Sequence, residues 1–146
     1  MSVSTNIKKI HLLGFLKGDL FPGKLIEDLK KIKVKNALIL GIGGFRRVVI
    51  GYFNQEKGYE KIELSVSENE AIEVSSLVGS VIFRDDERYS IHIHVTLGLK
   101  TGDNSYASYA GHLIEGVVHP LLEIFLIEVD DINHSILKRI WPHRYK

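Results

Sequence analysis

The stretch Ser90-Ile-His-Ile-His-Val-Thr-Leu-Gly98 decides how the rest of this chain is interpreted. In a β-strand successive side chains point to opposite faces, so the aliphatic residues of this stretch share one face and its polar residues share the other. The polar face carries two histidines, His92 and His94. The stretch therefore predicts a strand with one face in the core and an imidazole pair on the other face.

A second strand-like run, residues 108–118, follows a short distance downstream and carries a third histidine, His112. The fold could bring this run alongside the first one. Three imidazoles would then converge on one point, and much of the functional interpretation depends on that convergence.

Length and composition favour one globular domain. The chain has 146 residues, 45% of them hydrophobic, and a domain usually takes roughly 100–200 residues, so we expect residues 1–146 to form a single domain. There is no cysteine, which excludes disulfides and thiolate metal ligands. The sequence shows neither a signal-peptide pattern nor an apolar run of the roughly 18 residues that a membrane helix needs. We therefore expect a soluble, cytoplasmic protein.

Charge is unevenly distributed along the chain, although the net charge is only +1. Residues 1–50 hold ten Lys/Arg against three Asp/Glu, residues 51–130 hold five against fourteen, and residues 131–146 hold four against one. Basic ends around an acidic middle fit a nucleic-acid-binding face, or self-association in which a basic end meets an acidic neighbour. Two ordinary solvated faces fit the pattern equally well.

One amphipathic helix is predicted over about residues 22–32. Pro22 is favoured in the first turn of a helix, and Asp19 could cap it. Four apolar residues recur at helical spacing: Leu25, Ile26, Leu29 and Ile32. The opposite side carries three lysines: Lys24, Lys30 and Lys31. These lysines are the strongest local indication of polyanion binding in the sequence. Lysines on an exposed helix face, however, usually only face solvent.

Most of the remaining sequence has strand patterns. The predicted strands cover residues 7–16, 36–45, 48–53, 59–66, 71–83, 90–98, 108–118 and 121–129. Within residues 71–83, Gly79 marks an expected bend, and residues 136–142 are expected to add an edge strand. Short turns join most of these strands, which favours an α+β fold with an antiparallel-rich sheet of about seven strands and one main helix.

A cluster of glycines follows the strand at residues 36–45. The spacing of Gly41, Gly43 and Gly44 resembles the start of a nucleotide fingerprint, but Arg46 stands where a third glycine is needed, and no Gly-Lys-Ser/Thr follows. The glycines are therefore expected to form a bulge or sharp bend between two strands.

Five motifs follow one another along the chain: Gly51-Tyr-Phe-Asn54 before Tyr59, Glu73-Val-Ser-Ser-Leu-Val-Gly79, His92-Ile-His94-Val-Thr-Leu-Gly98, Gly111-His-Leu113 and Glu115-Gly116. In this order they resemble the PPC domain, the plants-and-prokaryotes-conserved domain, over nearly the whole chain. The resemblance implies a compact α+β domain that assembles as a homotrimer. It also implies a metal site formed by His92, His94 and His112.

The sequence departs from the family pattern at two places. The usual Gly-Gly-His-Leu is Ala110-Gly-His-Leu here, and Leu99-Lys100 replaces the acidic residue that commonly follows the histidine strand. Plant members that bind DNA carry a separate Arg-Gly-Arg-Pro hook, and this sequence has no such motif. The resemblance therefore does not imply DNA binding.

Strand geometry supports metal binding independently of the resemblance. Residues i and i+2 of a strand project to the same side with Cα atoms roughly 6.5–7 Å apart, so the rings of His92 and His94 can reach one ion at about 2.0–2.1 Å. Ligation by nitrogen alone suits Zn²⁺ best, with Cu²⁺, Ni²⁺ and Fe²⁺ as alternatives. The competing interpretation is that these polar side chains only face solvent.

An open zinc site could also support hydrolysis, which would need a general base. The motifs offer Glu63, Glu73 and Glu115. Strand alternation places Glu115 on the face opposite to His112, three residues away, and so counts against it. Glu73 ranks first, although we favour a structural role for it, as a partner to a ring N–H or in an interface ion pair.

Three functions from different classes remain open. The favoured one is a homotrimeric domain that binds a metal or small ligand through three histidines, without an assigned reaction. The second is a DNA-associated protein that uses the basic helix and termini, and the third is a zinc-dependent hydrolase or lyase. The first and third both require the histidines to converge.

Overall fold

The computed structural model describes residues 2–145. They form seven β-strands, two α-helices and a C-terminal 3₁₀ turn. In chain order these are β1 (Ile7–Leu16), β2 (Leu20–Phe21), α1 (Gly23–Ile32), β3 (Asn36–Asn54), β4 (Gly58–Ser65), β5 (Ile72–Phe83), β6 (Tyr89–Gly102), β7 (Ser105–Val129), α2 (His134–Ile140) and the 3₁₀ turn (Pro142–Tyr145).

The strands form one antiparallel sheet. Its order is β1-β7-β6-β5-β3-β4, and the short β2 lies beside β7. Because β3 also pairs with β7, strands β3, β5, β6 and β7 close into a ring. The predicted α+β fold, with an antiparallel-rich sheet of about seven strands and one main helix, is confirmed, and α2 adds a second, shorter helix.

Two strands are much longer than the sequence predicts, because β3 and β7 each join two predicted strands into one. The ladder of β3 with β5 shifts register between Gly41 and Gly43, which confirms the predicted bulge. Gly43 has a φ of +145°, and a Cβ there would collide with the carbonyl oxygen of Leu121. Glycine therefore lets β3 bend while it stays hydrogen-bonded to β7.

Helix α1 is anchored by its apolar face. Leu25 and Leu29 are fully buried and belong to the same hydrophobic cluster as Phe15, Phe21 and Phe45. The helix occupies the predicted range. Asp19 does not cap it, because its carboxylate accepts a hydrogen bond from the Leu16 N–H (2.8 Å) in the preceding turn.

The C-terminal segment differs from its predicted form. An edge strand was expected at residues 136–142, but α2 occupies His134–Ile140. The side chain of Asn133 caps this helix by accepting a hydrogen bond from the Ser135 N–H (2.8 Å), and Leu137 is buried. Neither helix of the described residues is long and apolar enough to cross a membrane.

Candidate metal site

The three histidines lie on one face of two neighbouring strands. On β6, Ile93 and Val95 are buried, whereas His92 and His94 point to the outer face, as the alternation predicts. The ladder between β6 and β7 places His94 directly opposite His112. The register of two strands thus brings together residues about twenty positions apart in the sequence.

The imidazole rings converge closely. Ring centroids are 5.1 Å apart for His92 and His94, 5.1 Å for His92 and His112, and 5.6 Å for His94 and His112. The Nε2 atoms of His92 and His94 are 3.2 Å apart. One nitrogen can be chosen from each of the three rings so that all three nitrogens lie within 4.8 Å of one another. Two nitrogens of a tetrahedral zinc site are separated by roughly 3.3 Å, so the separation of the His92 and His94 nitrogens matches that of two ligands, whereas the bound for the set of three is wider.

The protonation states of His92 and His112 suit the binding of a cation. Burial, reinforced by the nearby His112 and His94, lowers the pKa of His92 to about 4. Burial also lowers the pKa of His112, with His94 contributing. Both rings are therefore neutral at pH 7, which is the form that binds metals. The Nδ1 atom of His112 is buried without a hydrogen-bond partner among residues 2–145.

An aromatic pair holds His112 from the side. The ring of Tyr59 lies 5.0 Å from that of His112, and Phe53 packs edge-on against Tyr59 at 5.7 Å. Gly51 is paired with His112 across the β3–β7 ladder, and a Cβ on Gly51 would come within 2.9 Å of the Tyr59 ring. Glycine at this position therefore makes room for the ring that packs against His112. The sequence motif contained Tyr59 but did not reveal this contact.

Strand β5 approaches the site closely through Gly79. A Cβ on this glycine would collide with the carbonyl oxygen of His92 and come within 2.7 Å of the Ile93 side chain. The bend expected at Gly79 is not present, because the β5–β6 ladder is regular there and shifts register between Val74 and Ser76 instead. Gly79 therefore serves close backbone packing behind the histidine strand.

Glu73 is not a partner of the histidines within one chain. It is exposed and lies opposite Gly98, four residues beyond His94 on β6, which is about 13 Å along the strand. Side chains stand roughly perpendicular to a sheet, so the Glu73 carboxylate cannot reach a ring N–H of the cluster. Within a single copy of the chain Glu73 therefore lies away from the cluster, and its role as a partner to a ring N–H stays a prediction.

The other two carboxylates that the sequence offered as bases share one arginine. Arg47 donates to Glu63 (2.7 Å) and to Glu115 (2.8 Å), and its guanidinium holds the pKa of Glu63 below its usual range. A bulge in β7 at Ile114 places Glu115 on the same outer face as His112, so the argument from strand alternation was wrong. Neither carboxylate forms a hydrogen bond with the histidine cluster.

A cleft of about 510 Å³ opens beside His92 and His112. The C-terminal 3₁₀ turn contributes His143 and Arg144 to its wall, and the His143 ring lies 6.2 Å from that of His92. Sequence reasoning counted these residues only as part of the basic C-terminal end, beyond the edge strand expected at residues 136–142, and did not place them at the histidine site. The tail reaches the site only because α2 and the turn fold back onto β5 and β6.

The basic side of α1 is partly neutralised. Lys24 pairs with Glu27 and Lys31 with Asp28, each at 3.2 Å within the same helix. The helix therefore presents mixed charge, which weakens the interpretation of its lysines as a polyanion-binding surface.

Comparison with known proteins gives a consistent assignment. The Plants and Prokaryotes Conserved (PCC) domain model matches residues 2–130. The crystal structure of a plant- and prokaryote-conserved protein from Pyrococcus horikoshii has a TM-score of 0.78 and 30% identity, covering 91% of this chain and 87% of that one. No curated protein sequence matches the chain.

Two further solved structures share the fold. A metal-containing protein from Archaeoglobus fulgidus has a TM-score of 0.75 and 32% identity, covering 89% of this chain and 86% of that one. A candidate DNA-binding protein from Bacteroides thetaiotaomicron has a TM-score of 0.69 and 21% identity, covering 85% and 83%. At that lower identity the likeness concerns the fold alone. The family match over most of the chain, together with these structures, shows that the chain belongs to the plants-and-prokaryotes-conserved (PPC, or PCC) domain family.

Proposed function

We propose that this protein is a homotrimeric metal-binding domain that holds Zn²⁺ through His92, His94 and His112. The observation that carries the proposal is the register of β6 and β7, which sets His94 opposite His112 while the Nε2 atoms of His92 and His94 are 3.2 Å apart. The metal-containing relative from Archaeoglobus fulgidus, at 32% identity, supports it.

Zinc suits the donor set better than other common metals. The ligands are three imidazoles, and among the described residues the cluster contains neither a thiolate nor a carboxylate. Calcium and magnesium prefer oxygen ligands, whereas Zn²⁺ accepts three histidines in a tetrahedral arrangement. The fourth position then stays open for water or a small ligand, and the ion can polarise an oxygen atom bound there.

The homotrimer is supported by an apolar outer face that adjoins the histidines. We define this apolar face by the exposed residues Leu38, Leu40, Ile42, Val78 and Phe125. Leu40 lies opposite both Val78 and Phe125, and Val78 lies opposite His94. Leu40, Val78 and Phe125 are 46%, 50% and 53% exposed, which is unusual for large apolar side chains on neighbouring strands.

A second copy of the chain is the proposed occupant of this face. The family resemblance implies three copies, and closed rotational symmetry buries the same patch on every copy. Because Val78 and His94 are paired across one ladder, the subunit contact would begin immediately beside the metal site. Binding of a ligand at the open metal position would then take place at the edge of a subunit boundary.

Zinc titration of the purified protein tests the proposal. We expect one Zn²⁺ per chain and a native mass of three chains. The variant His94→Ala should lose the zinc, while His11→Ala should keep it, because His11 lies on β1 and bonds to Glu128 (2.9 Å). Retention of zinc by a folded His94→Ala variant, or no stoichiometric zinc in the unmodified protein, would overturn the metal assignment.

DNA association is the second candidate, and it has less support. The ion pairs within α1 reduce the positive charge of that helix. Affinity for duplex DNA that falls steeply with salt concentration would favour it, because such binding releases counterions. We expect no retention on DNA at low salt.

A further inference from the structure

Arg144 is a buried positive charge without a counterion among residues 2–145. Its side chain is 6% exposed. The Nε atom donates to the Ser90 hydroxyl (3.1 Å), Nη1 donates to the Ser80 hydroxyl (2.7 Å), and Nη2 donates to the Ser80 carbonyl (3.1 Å) and the Ser90 carbonyl. All four acceptors are neutral, and the ion pairs of the described residues do not include Arg144.

Such a charge is costly unless an anion accompanies it. Neutral acceptors satisfy the N–H groups but do not cancel the charge, and burial of a charge without a counterion is energetically unfavourable. Burial lowers the pKa of Arg144 to about 10, so the guanidinium stays charged at pH 7. An anionic group placed beside it would remove this penalty.

Among residues 2–145, the side chains that line the cleft beside the histidines include basic groups and no acidic group. Arg144 lines it together with Arg84, His143 and two histidines of the metal site. Arg84 already pairs with Asp86 at 2.7 Å, whereas no Asp or Glu of residues 2–145 pairs with Arg144, whose guanidinium lies 5.7 Å from the centre of the Trp141 ring. No Asp or Glu is among the residues that line this cleft in the described part of the chain.

The same cleft also has an apolar wall. Phe53 is 70% exposed, and Tyr59 is 48% exposed, even though the two rings pack edge-on against each other. Aromatic side chains together with a small number of polar or charged groups are typical of clefts that bind small organic ligands. With a volume of about 510 Å³, the cleft can accommodate a small organic molecule.

We propose that this cleft binds a small organic anion, a carboxylate or phosphate group on an apolar body. The charged group lies between Arg144 and the open position of the metal, and the apolar body packs against Phe53 and Tyr59. The contact between the anion and the metal rests on the proposed function, whereas the contact between the anion and Arg144 does not. No bond is made or broken in this binding step.

Calorimetric titration of the zinc-loaded protein with three aromatic probes tests the inference. Benzoate presents a carboxylate, phenyl phosphate presents a phosphate, and benzyl alcohol has a similar ring without charge. We expect at least one anion to bind about tenfold or more tightly than the alcohol, as expected for hydrogen bonds to a charged group. The stronger of the two anions identifies the preferred group.

Substitution of the arginine provides the second measurement. Arg144→Gln should weaken binding of the preferred anion about tenfold or more and leave benzyl alcohol unchanged. Arg144→Lys keeps the charge and should retain part of the affinity even where the glutamine variant folds poorly. Arg139→Gln is the matched control, because Arg139 is an exposed arginine on α2, and this variant should bind like the unmodified protein.

The outcomes separate this inference from the proposed function. One zinc per chain with equal binding of all three probes would overturn the anion site and leave the metal assignment intact. The absence of zinc binding would overturn the metal assignment, while anion binding that is lost in Arg144→Gln would still support the anion site. Equal effects of Arg144→Gln and Arg139→Gln on anion affinity would also overturn the inference.

Discussion

His94 and His112 face each other across the ladder between β6 and β7, with ring centroids 5.6 Å apart and ring planes at 84°. This relationship depends on register, because a slip of one residue would move either side chain to the opposite face of the sheet. Buried Ile93 and Val95 on one strand and Leu113 on the other fix that register by facing the core. Core packing therefore positions the histidines.

Ligand identity can be tested with two histidines of the same cleft. His92→Ala should weaken zinc binding by more than about 100-fold. Loss of a residue that only orients a metal ligand already lowers metal affinity by up to about 100-fold, and loss of the ligand itself should lower it at least as much. His143→Ala should leave zinc affinity unchanged, although its ring lies 6.2 Å from that of His92, because His143 is outside the three-nitrogen set. Competition with a chromogenic chelator measures both. Equal losses in the two variants would contradict the assignment.

The stability of the metal-free protein should depend on pH through His92. Its pKa in the folded chain is lowered to about 4, mainly by burial, from an ordinary value of 6.5. Between these values the unfolded chain binds the proton more readily, so stability falls as the pH decreases from 6.5 towards 4. Urea unfolding at about pH 7 and about pH 5 should show a smaller loss of stability for His92→Gln than for the unmodified protein. The same loss in both proteins would refute this explanation.

Gly79 should affect both stability and metal affinity. Gly79→Ala introduces a Cβ that collides with the His92 carbonyl, so we expect a loss of about 1–3 kcal/mol in the free energy of unfolding, together with weaker zinc binding. Gly98→Ala is the matched control, because Gly98 lies on β6 and its added Cβ would meet no neighbouring atom. Chemical denaturation and zinc titration of both variants provide the readouts. Unchanged zinc affinity in Gly79→Ala would show that β5 does not position His92.

The apolar face should control assembly. Leu40→Lys places a charge at the centre of the proposed contact and should shift the native mass from three chains to one, with little effect on the fold of each chain, because Leu40 is 46% exposed. Ile32→Lys is the control, because Ile32 is 37% exposed and lies at the end of α1. Light scattering coupled to size exclusion measures the masses. A trimeric Leu40→Lys variant, or a single-chain mass for the unmodified protein, would count against this interface.

Local pattern was sufficient to predict much of the fold. The α1 range and the two faces of the histidine strand followed from helical and strand periodicity, and the structure confirms both. The pairing of β6 with β7 could not be calculated from periodicity, because it is a long-range contact. The convergence of the histidines was therefore an expectation that only the register could decide.

The errors arose where local geometry departs from regular alternation. β3 and β7 were each divided into two strands, whereas each forms one long strand in the structure and accommodates its irregularities with bulges. The bulge at Ile114 also reversed the expected face of Glu115. α2 was interpreted as a strand, because its seven residues contain few helical repeats, and the capping role of Asn133 was overlooked.

X-ray absorption spectroscopy of the zinc-loaded protein tests the central claim most directly, because it counts the imidazole ligands. The account predicts three imidazole nitrogens at about 2.0–2.1 Å and one further light atom. In His112→Ala the imidazole count should fall to two or the zinc should be lost. A zinc ion coordinated mainly by oxygen, or an unchanged imidazole count in His112→Ala, would contradict the account.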